Sequence, residues 1–303
     1  MRVLVTGAGG YLGRAVVRQL VAGGHRVSAL VHRTPVAQPD VELFHGDVLD
    51  PEAVLPAVRG ADAVVHLAGQ AGSAARPAWH YRLNVGGAAT VLDALTAAAA
   101  AADETPAFLL ASTGDVYGRA GRHPIREDAR ARPRDAFADA KLAAEHLLGW
   151  AAGTGRIAAA SLRVFNAAGA VDGAGDPDDA HTIPGMLAAA RGRVAHFVVS
   201  GDGSAVRDFV HVLDIGSAFA TALRGCRAGE HHVFNVGGPG ASADRIAQLA
   251  AEQTGAAPAV VYRAGEIGPA PHPRANTAKL RRLGWRAEHS DPALLVREQA
   301  AAR

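Results

Sequence analysis

The sequence predicts an α/β fold: a doubly wound parallel sheet followed by a smaller mixed lobe. Two observations carry this reading. Short apolar runs alternate with helical patterns through the first half of the chain, and a glycine-rich turn joins the first run to the first helix. A third marks where the sheet domain ends: near Asn166 the alternation gives way to a stretch rich in Gly, Asp and Pro. A chain of 303 residues can bury a large core and suits a nucleotide-binding domain with a smaller companion.

Arg2 to Thr6 reads as a strand through Val3, Leu4 and Val5, Gly7 to Gly13 as a turn, and Tyr11 to Val21 as a helix with apolar positions three or four apart. Strands follow at 26–31 and 41–44, then a helix at 51–58, a strand at 63–67, a long helix from Trp79 to Ala101, and a strand at 108–111. The helix 136–149 and the strand 157–164 complete the first domain, residues 1–165. Residues 166–303 form the lobe. Gly169 to Asp179 reads there as a mobile surface loop, Ile183 to Ala190 and Leu213 to Leu223 as helices, 197–199 as a strand, and Val233 to Val236 as a strand returning to the sheet.

Composition excludes several classes. The net charge is +2, and Lys and Arg are scattered without a basic run or an aromatic stripe, so nucleic acid is not expected as a partner. Cys226 is the single cysteine, which rules out an internal disulfide and reads as packing. The 14 histidines lack metal-ligand spacing: His231 and His232 are adjacent, and His66 and His211 lie in strand-like apolar runs, so no metal is expected. The first strand starts within two residues of Met1, with no charged leader and no apolar stretch judged long enough to span a bilayer. The expectation is a cytoplasmic protein without a membrane partner.

Gly7, Gly10 and Gly13 follow a strand and open a helix at Tyr11 and Leu12. Backbone N–H groups and the positive helix end can then face a pyrophosphate with no Cβ in the way, as in Rossmann dinucleotide-binding domains. A carboxylate at the end of the second strand would bond a ribose 2′-hydroxyl and favour NAD, but the chain has Val31, His32 and Arg33 there. Arg33 suits a 2′-phosphate and NADP, or is a solvated surface residue; NAD and NADP both stay open. Asp47, before Val48, is placed to accept from an adenine amino group, or simply makes a turn.

Together the strings VTGAGGYLG, GDVLD, VVHLAG, LNVGGAATVLDAL, STGDVYG, LRVFNAAGA, GDGSAVRDFVHVLD and FNVGG resemble the extended short-chain dehydrogenase/reductase family, especially its UDP-glucose 4-epimerase branch. The resemblance runs over most of the chain. It implies that Leu67, Ala68, Gly69 and Asn84 line the cofactor, and that Thr113 and Lys141 flank the nicotinamide. The family's Tyr, four residues before the Lys, is Phe137 here. Tyr as phenolate takes the sugar hydroxyl proton while hydride leaves carbon 4, and Phe cannot. Either an engineered Tyr→Phe change or a natural divergence accounts for it; in the second case Thr113, Asp115, Tyr117 or water are the candidate replacements. Asp115 also resembles the position of a Glu in nucleotide-sugar 4,6-dehydratases, although their neighbouring Asp is Gly114 here. The alternative for Lys141 is a surface pair with Glu145, and for Asn84 a solvent-facing helix position.

The resemblance further implies a nucleotide sugar, most simply a UDP-sugar, bound through Asn166 and Arg207 at its diphosphate, a second clamp at Arg263, and Glu266 at the ribose hydroxyls. The function implied is a nucleotide-sugar 4-epimerase acting by transient oxidation at C4. The alternatives are an NADPH-dependent keto-sugar reductase, a 4,6-dehydratase, and a non-catalytic nucleotide-sugar or dinucleotide binding protein. A homodimer paired through the two long helices is also expected.

Overall fold

Runs that are apolar at every position, such as Val3–Val5 and Phe108–Ala111, suit strands covered on both faces. In a computed structural model, which describes residues 1–34, 36, 38, 40–71, 76–102, 104–119, 124–263 and 274–302, they form the middle of a parallel sheet. The first half supplies strands β1 (Arg2–Thr6), β2 (Arg26–Val31), β3 (Glu42–His45), β4 (Ala63–His66), β5 (Ala107–Thr113) and β6 (Ala158–Val164). Between them run α1 (Tyr11–Ala22), α2 (Pro51–Val58), α3 (Pro77–His80), α4 (Gly87–Ala102) and α5 (Ala136–Gly153).

The lobe begins with three short strands, β7 (Asn166–Ala168), β8 (Ala170–Val171) and β9 (Ala174–Gly175). Helix α6 (Thr182–Ala190), strands β10 (Phe197–Ser200) and β11 (Val206–His211), and helix α7 (Val212–Gly225) follow. Strand β12 (His231–Val236) returns to the large sheet beside β6, so the order across it is β12-β6-β5-β4-β1-β2-β3. The chain closes with β13 (Gly240–Ser242), α8 (Ala243–Thr254), β14 (Val260–Arg263), α9 (Ala278–Arg282) and α10 (Pro292–Ala301). From α9, Lys279 Nζ donates to Val233 O at 2.8 Å, which helps blunt the edge strand β12.

Alternation along each strand sorts the core into two layers. Val3 and Val5 pack with Val16, Val17 and Leu20 of α1 and with Ile215, Phe219 and Leu223 of α7. Leu4, one residue out of phase, faces Val54 and Val58 of α2, Val91, Leu92 and Leu95 of α4, and Leu148 of α5. The lobe has its own core around Ile183, Met186, Phe209, Ile246 and Leu295. The strand order reverses between β4 and β2 on either side of β1, and at that point the carboxyl ends of β1 and β4 open a crevice.

Three expectations are corrected. The long helix runs unbroken from Pro77 to Ala102 but is not α throughout: Tyr81–Gly86 winds as a π turn between α3 and α4, and Asn84 points inward from it. The helix 77–102 is long enough to cross a membrane and contains an 18-residue stretch with a mean hydropathy of 1.5, contrary to the expectation that no stretch does. In this fold the inner side of that segment is part of the core through Val91, Leu92 and Leu95. Finally, the stretch from Gly169 is a braced hairpin rather than a mobile loop. Tyr11 donates to Gly169 O at 2.7 Å, Gln299 exchanges bonds with the Asp176 backbone at 2.9 and 2.8 Å, and Val171 and Asp176 are buried.

Candidate active site

The glycine turn is shaped by what its residues lack. Gly7 has φ +70°, and a Cβ there would lie 2.7 Å from Ala68 N. A Cβ on Gly13 would lie 2.2 Å from Gly7 O, and one on Gly10 3.2 Å from the same oxygen. The turn therefore closes tightly on the end of β4, and α1 starts at Gly10 with no side-chain cap, leaving its first N–H groups directed outward. A phosphate group fits such an end, and the missing Cβ atoms let the turn close tightly enough to form it. Leu12 packs into the core beneath, while Tyr11 turns its hydroxyl away to Gly169. Burial, with Asp176 and Glu298 nearby, pushes the Tyr11 pKa well up.

Leu67, Ala68 and Gly69 extend β4 into the crevice. Thr6 Oγ1 lies 2.9 Å from His66 Nδ1 and accepts from Ala68 N at 3.3 Å, tying the ends of β1 and β4 together. At Gly69 a Cβ would stand 2.5 Å from Asn84 Oδ1 and 3.1 Å from Lys141 Nζ, so three sequence-predicted residues meet at one point. Asn84 is buried, not solvent-facing. Its Oδ1 accepts from Gln70 N at 3.2 Å and its amide donates to Gln70 O at 3.3 Å, and the π turn aims it there.

Lys141 is buried as well, and donates from Nζ to Ala111 O at 2.9 Å. Burial lowers its pKa to about 8 against the opposing pull of Glu145. The pairing with Glu145 suggested by their spacing does not form. Glu145 is taken by Arg163 of β6, at 2.6 Å from Nη2 to Oε2 and 3.0 Å from Nε to Oε1, and it also accepts from Ser112. Arg163 continues to the Tyr117 hydroxyl at 2.7 Å, which donates to Asn235 Oδ1 at 2.7 Å. Nothing in residue spacing announced this buried chain, which stands directly behind Thr113 and Lys141.

Thr113 ends β5, buried, and caps the turn that follows it. Its Oγ1 accepts from Asp115 N at 3.2 Å and donates to Asp115 Oδ2 at 3.1 Å. Asp115 reaches solvent, yet the surrounding walls desolvate its carboxyl and raise its pKa. Asp135 adds to that rise, whereas the bond from Thr113 and the charges of Arg207 and His181 oppose it. Asp115 is thus an exposed residue of the turn after β5 on which the charges of Asp135, Arg207 and His181 all act. Phe137 sits half-buried on the first turn of α5, one turn before Lys141, its ring 5.8 Å from that of His80. Tyr117, a candidate for the missing hydroxyl, is buried and both donates and accepts within the chain just described.

The remaining predicted residues scatter. Asn166 lies on β7 and donates to Asp208 O at 2.6 Å, and Arg207 lies half-buried on β11 opposite Asp115, its pKa lowered by burial. Arg263 is exposed at the end of β14, and Glu266 lies outside the described residues. Arg33 is exposed just after β2. Asp47 accepts from Leu49 N at 3.0 Å, the turn-making alternative, and Val48 is buried against Gly87. Among the described residues, no three His, Cys, Asp or Glu side chains gather in a way that could hold a metal ion.

Residues 3–237 match the sequence profile of the NAD dependent epimerase/dehydratase family. The chain belongs to that family. It is 32% identical to a UDP-glucose 4-epimerase of Corynebacterium glutamicum, over 98% of this chain and 94% of that protein. A UDP-glucose 4-epimerase of Streptomyces lividans is 31% identical over 97% and 94%. Among solved structures, UDP-glucose 4-epimerase from Brucella ovis in complex with NAD superposes with a TM-score of 0.88 at 30% identity, covering 99% of this chain and 97% of that one. MoeE5 in complex with UDP-glucose and NAD superposes with a TM-score of 0.84 at 28% identity, covering 99% and 98%. The expected Rossmann-type α/β fold and the extended short-chain dehydrogenase/reductase resemblance are thereby borne out.

Proposed function

We propose that the chain is a nucleotide-sugar 4-epimerase that acts on a UDP-sugar and keeps NAD bound through its cycle. The observation that carries this reading is the convergence of Gly69, Asn84 and Lys141 beside the glycine turn, with Thr113 at the neighbouring strand end. Two of its relatives are UDP-glucose 4-epimerases, and one solved neighbour holds both UDP-glucose and NAD, which supports the same substrate class and cofactor.

The bound dinucleotide supplies a reversible hydride acceptor. The N–H groups at the start of α1 hold its pyrophosphate, and Lys141 and Asn84 orient its nicotinamide ribose. Thr113 offers its hydroxyl to the sugar hydroxyl that is oxidised. Asn166, Arg207, Arg263 and Glu266 receive the nucleotide diphosphate and ribose, the arginines because guanidinium forks match phosphate oxygens.

An NMR time course of UDP-glucose with the chain and with its Phe137→Tyr variant tests this reading. C4 inversion is expected from the variant, whose hydroxyl restores a direct proton carrier. Inversion by neither protein overturns it. Loss of water would point instead to a 4,6-dehydratase, stoichiometric NADPH oxidation to a keto-sugar reductase, and tight binding without turnover to a binding protein. NADP bound more tightly than NAD, with the preference lost in Arg33→Ala, would replace NAD as the cofactor.

The homodimer belongs to the same proposal. Helices α4 and α5 are alanine-rich, and Trp150 of α5 is 82% exposed, an apolar surface suited to a second copy. Sedimentation at twice the chain mass supports it, and a monomer at micromolar concentration overturns it.

A further inference from the structure

Oxidation at C4 requires somewhere for the O4 proton to go, and Phe137 leaves the first turn of α5 without a hydroxyl. Two other groups near the centre are committed elsewhere. Tyr117 donates to Asn235 and accepts from Arg163 inside the core, and Lys141 donates to Ala111 O. The Thr113–Asp115 pair is different. Thr113 has one hydroxyl proton, and it is directed at Asp115 Oδ2 at 3.1 Å; of its acceptor sites, one receives Asp115 N–H at 3.2 Å. A second lone pair remains for an incoming sugar hydroxyl.

We propose that in this chain the O4 proton passes through the Thr113 hydroxyl to the Asp115 carboxylate, which takes the place of the phenolate that Phe137 lacks. The inference rests on the epimerase reading above. The O4–H bond breaks and its proton moves to Thr113 Oγ1 while Thr113's own proton moves to Asp115 Oδ2. C4–H leaves as hydride to the oxidised nicotinamide dinucleotide, and the C4=O bond forms. Reduction of the opposite face runs the same transfers backwards, so both protons and the hydride are returned.

The setting suits a carboxylate that exchanges a proton. Asp115 is exposed, its backbone is locked by the turn that Thr113 caps, and the charged groups facing it come from three other elements. These are Asp135 at the start of α5, His181 before α6 and Arg207 on β11. Desolvation leads the rise in its pKa, which brings the carboxyl nearer to the working pH of a proton carrier.

The test compares Asp115→Asn with the unaltered chain, once with Phe at 137 and once with Tyr, by the initial rate of C4 inversion of UDP-glucose. With Phe137, Asp115→Asn is expected to lower the rate by about 10²–10⁴-fold, and Asp115→Glu to restore part of it. With Tyr at 137 the loss should stay under about tenfold, since the phenol carries the proton. The rate of the unaltered chain should fall as acid protonates Asp115, and this acid limb should be lost or shifted in Phe137→Tyr. UDP affinity and circular dichroism, unchanged in Asp115→Asn, separate the effect from misfolding. Three results overturn the proposal: an Asp115→Asn rate within threefold of the parent, an equal loss with Tyr at 137, or inversion by Phe137→Tyr but not by the unaltered chain. Inversion by none of the proteins removes the epimerase reading on which it rests.

Discussion

At the end of β1 the crevice is built from backbone, and at the ends of β5 and β6 it is built from buried charge. The first region depends on side chains being absent: Gly7, Gly10 and Gly13 let the turn close on Ala68 and leave the start of α1 open. The second depends on side chains satisfying one another. Arg163, Glu145, Ser112, Tyr117 and Asn235 form one hydrogen-bonded run behind Thr113 and Lys141. A crowded backbone tolerates no addition, while a buried ion pair tolerates no subtraction, so the two regions should fail in opposite ways.

The largest expected effect is in the charged region. Arg163 and Glu145 are 7% and 2% exposed, and Glu145→Gln leaves the guanidinium buried without its counter-charge. Breaking such a pair costs on the order of 3–5 kcal/mol, because the remaining charge has lost its partner but not its desolvation. Denaturant unfolding should show a loss of that size. Replacing both residues by apolar ones of similar volume should recover much of it, and if the double variant is as weak as the single, desolvation is not the cause.

The backbone region should lose less stability but more of its ligand. A Cβ on Gly13 would stand 2.2 Å from Gly7 O and 2.5 Å from Ala8 O, both main-chain atoms that can move only with the turn. Gly13→Ala is expected to cost about 1–3 kcal/mol as overpacking. Because relief must open the turn, dinucleotide retained on purification should fall more steeply than the melting temperature. Full retention of the cofactor would show that the turn is not its seat.

The same contrast explains what could be read before any coordinates. The glycine turn was legible because a backbone requirement is written locally, as three small residues between a strand and a helix. Alternating strands and helices were legible for a similar reason, while Asn84, Thr113 and Lys141 were singled out only through the family resemblance; the structure brings Asn84 and Lys141 together at Gly69. The charged run was not legible. Lys141 and Glu145 have the spacing of a surface pair, but Arg163, on the strand behind, offers two nitrogens to the same carboxylate and takes it. The π turn escaped as well, since one widened turn leaves the 3.6-residue pattern nearly intact. The hairpin after Gly169 looked free because its braces, Glu298 and Gln299, lie more than 120 residues away. Glu266 falls outside the described residues, so its place in the site rests on sequence alone.

Lys141 belongs to both regions, touching Gly69 on one side and Ala111 on the other, and its titration sharpens the comparison. Burial lowers its pKa from the usual 10.5 to about 8. Between those values the unfolded chain holds a proton at this residue that the folded chain has released, so the unfolded state binds more protons and folding gains stability as pH rises. Below about pH 8 both states are protonated and the slope from this residue vanishes, leaving the full cost of a buried ammonium in place. Unfolding free energies of the cofactor-free chain and of Lys141→Met should therefore converge from pH 8 to pH 10, by up to about 1.4 kcal/mol per pH unit. Parallel curves would mean that Ala111 O and the surrounding dipoles compensate the charge fully. In that case the lysine is held as a cation at every working pH, and its role at the nicotinamide ribose is that of a fixed charge-assisted donor.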